Sequence, residues 1–342
     1  MENKLKDSSL VLEEALSIPY CIGKFIDSDL NKYNDISKLI ENKKIKFIVT
    51  LARGTSDCAA LFASYIFAKY LGLPTYSMPP SIITLEKSKF DFSEALVIII
   101  TQSGLSKDLI ECAKKTKNMS ATNLLISNNT NSPIINESHY FFNINAGEEK
   151  SIAATKTFVM TLLVLIKLIL YSSNQKINSL ITQLGDELIN DATSQWSLNG
   201  IDSSINTGFI LGRGIGFALS NEISLKFKEL SQEQIEPFSS AEVMHGPKSL
   251  VENSFKLFTI SINDNSGRTV INDSLELKQY TNMYYEISSN KNSPFFYKPF
   301  NLSVLDPIII MTKFYPWIIK YSINKGLDPD NPRYLTKVTQ TY

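Results

Sequence analysis

The stretch Ile45–Leu71, IKFIVTLARGTSDCAALFASYIFAKYL, reads as a buried strand, a glycine turn and a helix. A short apolar run that ends in a glycine signal and gives way to helical spacing is the mark of a strand–turn–helix unit. The segment Ile205–Leu230, INTGFILGRGIGFALSNEISLKFKEL, reads the same way. Arg53-Gly54 and Arg213-Gly214 stand 160 positions apart, and a second apolar strand follows each at that same offset, Ala95–Thr101 (ALVIIIT) and Phe255–Ser261 (FKLFTIS). Strands alternating with helices argue for parallel sheets covered on both faces. Two copies argue for two similar domains of an α/β protein, with the registered Arg-Gly pair as the best part of the repeat.

The rest of the chain is placed around these two units. Residues 1–34 form a helical segment and residues 35–175 the first domain. Residues 176–199 form a helical connection, residues 200–326 the second domain and residues 327–342 a tail. The polar run Ser172–Lys176 breaks the chain after an apolar helix at Thr157–Tyr171. That helix contains Lys167 and is too short to span a bilayer, so it reads as a buried helix. Asp306-Pro307 opens a final helix through Ile323, kinked at Pro316 and stopped at Gly326. On spacing alone, Lys337 in the tail reads as a solvated lysine.

Bulk composition narrows the function. Of 342 residues, 43% are hydrophobic and 20% charged, and the formal net charge is zero, so no basic footprint for nucleic acid is visible. Cys21, Cys58 and Cys112 form neither a metal spacing nor a disulfide framework, which fits a reduced compartment. Met1–Leu16 carries four acidic and two basic residues and has no apolar core, unlike a secretory signal. The expected setting is the cytoplasm, with no membrane partner, no metal and no cofactor.

In an open parallel sheet, ligands bind at the carboxyl ends of the strands, where helix N-termini offer free N–H groups to a phosphate. The Ala95–Thr101 strand runs into Thr101-Gln102-Ser103-Gly104-Leu105-Ser106 and then a helix. Ser106 could equally be a plain helix cap. The loop is neither a Walker P-loop nor a dinucleotide fingerprint. Thr55 and Ser56 lie at the equivalent end of the first strand, and Ser151–Lys156 follows a strand at Tyr140–Asn145. Three hydroxyl-bearing loops in one domain, converging on one crevice, favour the phosphate reading.

Glu222, Lys226 and Glu229 share one helix face. Spacing alone gives a solvated, ion-paired face. Ser239-x-x-Glu242 reads as a capping box that starts a turn ending at Gly246-Pro247, with His245 at its C-terminal end. Histidine titrates near neutrality and is suited to moving protons. The other histidine, His139, reads as structural.

Taken in order, ARGTSD, TQSGLSKD, GEEKSIAATK, LGRGIGFALSNEISLKFKE, FSSAEVMHGP and NPRYLTKVTQTY resemble the sugar isomerase (SIS) domain proteins, above all type II glucosamine-6-phosphate deaminases and the isomerase half of glucosamine-6-phosphate synthase. The resemblance covers nearly the whole chain. It implies two tandem SIS domains, each a three-layer, flavodoxin-like αβα sandwich, in a homodimer with its active sites near the interface. It implies that Ser56, Gln102, Ser103 and Ser106 hold a hexosamine phosphate beside Thr55 and Thr101, with Ile152 and Ala154 also contacting it. Glu229 would move a proton between C1 and C2. His245 would open the sugar ring, often that of the neighbouring subunit. Lys337 would contact the open-chain carbonyl or form a Schiff base there, and Glu222 and Lys226 would support the site. The tail is then expected to fold over the pocket.

Two departures from the synthase pattern suit the deaminase branch: Ala154 stands where the synthase usually has serine, and Leu105-Ser106 replaces a Glu-Thr pair. No glutaminase domain is expected before residue 45. Deglycation of fructosamine 6-phosphates, deamination of galactosamine 6-phosphate, and sugar-phosphate sensing without turnover are the alternatives. Sensors of this kind commonly lack the Glu, His and Lys set that is present here.

Overall fold

The computed structural model describes residues 9–25, 30–172, 177–191 and 195–337. The polar break expected at 172–176 lies outside them except for its first residue. The helices α1 (Leu10–Leu16), α2 (Ile18–Gly23) and α3 (Leu30–Glu41) come first. Then follow β1 (Phe47–Leu51), α4 (Thr55–Leu71), β2 (Thr75–Ser77), α5 (Pro80–Thr84), β3 (Ala95–Thr101), α6 (Lys107–Asn118), β4 (Thr122–Ser127) and β5 (Tyr140–Asn143). After α7 (Lys156–Ser172) and α8 (Ile177–Asn190) the pattern restarts with β6 (Thr207–Gly212), α9 (Ile215–Lys226), β7 (Gln234–Ser239), β8 (Lys256–Ile260), α10 (Asn265–Leu277), β9 (Tyr284–Ser288), β10 (Phe295–Phe296) and α11 (Asp306–Asn324).

Two compact bodies result. The first comprises Tyr20–Glu149, Lys156–Asp186 and Thr336–Tyr342; the second comprises Met1–Pro19, Lys150–Thr155 and Glu187–Leu335. Each holds one five-stranded sheet whose pairings are all parallel. The first sheet runs β2-β1-β3-β4-β5 and the second β10-β9-β8-β6-β7. Numbered from its own first strand, the second sheet repeats the order of the first. The 160-residue offset therefore extends from the Arg-Gly pair to the whole topology. In this order the chain reverses direction between the first and third strands, which leaves a crevice at their carboxyl ends.

The central strand β3 is buried along all seven residues, as expected of a parallel strand covered on both faces. Leu51, Val97, Ile99, Leu109, Cys112 and Leu125 are core positions of the first body. The apolar stretch after Thr157 is the buried helix α7, and among the described residues no helix is long and apolar enough to cross a membrane. Lys167 is fully buried on α7, its Nζ 4.8 Å from the Tyr33 ring centre and 5.6 Å from that of Phe25, so the cation sits over π-faces. In the second body, Phe227 packs among Phe258, Phe314 and Trp317. Pro316 lies inside α11 without ending it, and Gly326 (φ 78°) follows the helix end.

Candidate active site

The loop after β3 is a tight turn fixed from behind. Thr101 Oγ1 accepts the Gly104 N–H at 3.1 Å and Ser103 Oγ accepts the Leu105 N–H at 3.3 Å. Asn129 Nδ2 donates to the Ser103 carbonyl at 2.7 Å and Ser132 Oγ to the Gly104 carbonyl at 2.9 Å. Gly104 has φ 64°, and a Cβ there would lie 2.0 Å from Ser132 Oγ, so glycine is required on two counts. Ser106 occupies the N-cap of α6, but its side chain makes no capping bond. The plain-cap reading of Ser106 is therefore not what the fold uses, and the helix terminus keeps its anion-receptive character. Asp108, an anion in the same first turn, is neutralised by Arg53, whose guanidinium lies 2.9 Å away. Thr55 and Ser56 open α4 beyond Gly54 (φ 54°) at the same edge of the sheet.

The second sheet handles its corresponding helix differently. Asp264 caps α10, its Oδ1 accepting the Gly267 N–H at 2.9 Å. A carboxylate fills the place where an anion would sit. The two sheets share a topology, but Ser106 makes no capping bond where Asp264 does, and in the first turn of α6 Asp108 Oδ1 accepts the Leu109 N–H at 2.8 Å.

A cleft of roughly 760 Å³ opens on the first body, and Gln102, Ser103, Asn128, Asn129, Glu149 and Lys337 are among its lining residues. Lys337 is thus not a solvated tail lysine. Its Nζ lies 3.4 Å from Glu149 Oε2. Glu149 is buried, and Thr157 holds it through the backbone N–H at 3.2 Å and the hydroxyl at 2.6 Å. Glu149 stands within GEEKSIAATK. A glutamate beside a glycine turn carries no signal of its burial.

The third hydroxyl loop is held from outside the first sheet. Lys150–Thr155, with Ile152 and Ala154, groups with the second body. There Glu14 on α1 accepts the Lys150 N–H at 2.6 Å and the Ser151 N–H at 3.2 Å, and also takes the Ser151 hydroxyl. A carboxylate outside the loop thus fixes its backbone at Lys150 and Ser151 and takes the Ser151 hydroxyl.

On the second body, α9 continues into a π-helical turn, Phe227–Ser231, which carries Glu229. Such turns insert a residue into a helix and often occur at functional sites. Lys226 Nζ lies 2.5 Å from Glu229 Oε2 and 3.4 Å from Glu222 Oε1. Glu222 and Lys226 are fully buried, while the Glu229 side chain keeps 20% of its surface exposed. The expected solvated face is therefore wrong: α11 covers it. Tyr315 donates to Glu222 Oε1 at 2.8 Å and Ser322 Oγ to the Leu230 carbonyl at 2.5 Å. One ammonium balances two carboxylates, and of the three only Glu229 reaches solvent.

His245 ends a short 3-10 turn, Glu242–His245, and is exposed. The capping box is absent. Ser239 is the last residue of β7, and the turn starts from Ala241 without a side-chain bond. Parallel pairing of Ser239 with Gly212 claimed the residue for the sheet. The neighbouring Ser240 hydroxyl donates to Asp273 at 2.6 Å. His139 is structural, its Nδ1 accepting the Asn123 N–H at 3.0 Å.

Known proteins bear on these two sets of residues. The family described as SIS domain matches residues 39–171. The isomerizing glutamine–fructose-6-phosphate aminotransferase of Sulfolobus acidocaldarius is 31% identical over 337 residues, which cover 96% of this chain. The chain spans 56% of that relative's length. A solved structure from Silicibacter pomeroyi DSS-3, provisionally designated a phosphosugar isomerase, aligns with TM-score 0.81 and 26% identity over 94% of this chain and 100% of its own. The glucosamine-6-phosphate deaminase of Thermotoga maritima aligns with TM-score 0.75 over 97% of this chain and 100% of its own; at 21% identity this is a likeness of fold.

Proposed function

We propose, from the match of residues 39–171 to the SIS domain family, that the chain is an amino-sugar-phosphate deaminase converting glucosamine 6-phosphate to fructose 6-phosphate and ammonia. The second sheet is a second domain of the same kind. The phosphate is held by the Thr101–Ser106 loop with Thr55 and Ser56, where hydroxyls, N–H groups and the start of α6 meet an anion and Arg53 offsets the charge of Asp108.

His245 assists ring opening, and Lys337 meets the carbonyl of the open chain. Glu229 removes the C2 proton. The electron pair moves toward C1 to give an enolamine, and the proton returns at C1. The C1 aldehyde thereby becomes an alcohol and the C2 amine an imine. Water adds at C2, ammonia leaves, and the ketose phosphate remains. Acid–base assistance of this kind contributes on the order of a hundred- to ten-thousand-fold per step. Lys226, held by Glu222, sits where it favours the ionised Glu229 that takes the C2 proton and that is restored once the proton has returned at C1.

The observation that carries the reading is the buried Glu222–Lys226–Glu229 set with one accessible carboxylate. The chain is further proposed to act as a homodimer, with the exposed His245 serving the partner's site.

The test is to offer glucosamine, galactosamine and fructosamine 6-phosphates separately and to measure ammonia and ketose phosphate. Turnover of glucosamine 6-phosphate with stoichiometric ammonia and fructose 6-phosphate is expected. Turnover of another of the three would move the substrate assignment, and binding without ammonia release would favour a sensor.

A further inference from the structure

We propose that Glu149 is a positioning residue for Lys337: its buried carboxylate holds the tail's ammonium in the same cleft as Gln102 and Ser103. The inference rests on the proposed encounter of Lys337 with the open-chain carbonyl.

A lysine has a flexible four-carbon stem and a strongly hydrated ammonium. One carried near the end of a tail has no reason of its own to occupy a cleft, because ordering it costs rotamer freedom. Lys337 is nevertheless only partly exposed, its Nζ 3.4 Å from Glu149 Oε2. Glu149 is suited to fix it. Its side chain is fully buried, and both oxygens are set by Thr157, through the N–H to Oε1 and the hydroxyl to Oε2. Thr157 lies in the first turn of α7, where a carboxylate is favoured by the helix dipole. The anchor is therefore rigid, and its negative charge faces the cleft. The adjacent Glu148 is exposed and lines the cleft as well, and its carbonyl accepts Lys156 Nζ at 2.6 Å. Glu149 differs from Glu148 in being locked in one place.

A residue that works through Lys337 has effects that merge with those of Lys337, whereas an independent structural role multiplies with them. The experiment is a double-mutant cycle of Glu149→Gln and Lys337→Ala, reading kcat and KM for glucosamine 6-phosphate. Each single variant is expected to lower kcat at least tenfold, and the double variant to fall no further than Lys337→Ala. Dissociation constants for inorganic phosphate should stay within about threefold of wild type throughout. Glu149→Asp, which keeps the charge on a shorter arm, should recover part of the loss. Thr157→Ala, which loosens the anchor but keeps its charge and the backbone N–H, should lower kcat by less than Glu149→Gln does.

Near-wild-type kcat in Glu149→Gln while Lys337→Ala is impaired would overturn the proposal. So would multiplicative losses in the double variant. Failure of the underlying reading is distinguishable: it appears as wild-type kcat in Lys337→Ala alone, or as no turnover by the wild type.

Discussion

Lys226 has one ammonium to share between two carboxylates, and the sharing sets the chemistry of all three residues. Removing charge from water is costly, and breaking a buried pair by deleting one partner leaves an uncompensated ion. Lys226→Met is therefore expected to destabilise the protein by about 3–5 kcal/mol, measured as a shift in urea midpoint, because Glu222 stays behind in a site that excludes solvent. A loss below about 1 kcal/mol would mean that Glu222 finds water or a proton. Gly104 answers to sterics alone. Gly104→Ala forces a Cβ into Ser132 Oγ at a left-handed φ, so the unfolding midpoint should fall and, on the folded variant, phosphate affinity measured by titration calorimetry should drop by tenfold or more. Unchanged affinity would move the anion site elsewhere.

At the level of elements, the ends of helices separate the two sheets. Ser106 leaves the start of α6 without a side-chain cap, and Asp264 fills the start of α10. The helix α11 has an acid at its own first position. Burial pushes the Asp306 carboxyl up to about 7, against the pull of N–H donors from Phe300 at 2.8 Å and Asn263 at 3.4 Å and of the Tyr297 hydroxyl at 3.4 Å. A folded-state value above the unfolded one gives stability that is complete below about pH 4 and is lost as the pH rises through about 7. Asp306→Asn removes that loss. The difference in unfolding free energy between variant and wild type should move in the variant's favour between pH 4 and pH 8, by at most about 4 kcal/mol. An equal difference at both pH values would contradict the assignment.

Much of this was readable from the chain. Apolar runs closed by Arg-Gly turns gave the strands, the helices and the repeat, because burial and positive φ leave marks on composition. What tertiary packing decides was not readable. The π-helical turn at Phe227–Ser231 looks like ordinary helix in sequence, and the cover supplied by Tyr315 comes from 93 residues away. Glu149 and Glu14 look like surface acids until the segments they bind are folded against them. Ser239 was mistaken for a cap because its hydroxyl chemistry suits either a turn or the end of a strand.

For the molecule as a whole, the proposed dimer makes a claim about the origin of each catalytic group. If His245 serves the partner's site, mixing Glu229→Gln subunits with His245→Ala subunits leaves one intact site per mixed dimer, because two-fold symmetry exchanges the contributions. A randomised mixture should then recover about a quarter of wild-type activity, and recovery of none would place both groups in one subunit. The most direct test of the account concerns the accessible carboxylate. Ammonia release and equilibrium binding of glucosamine 6-phosphate should be measured on Glu229→Gln. The account predicts turnover reduced to background with binding within a few-fold of wild type; ammonia release at the wild-type rate would contradict it.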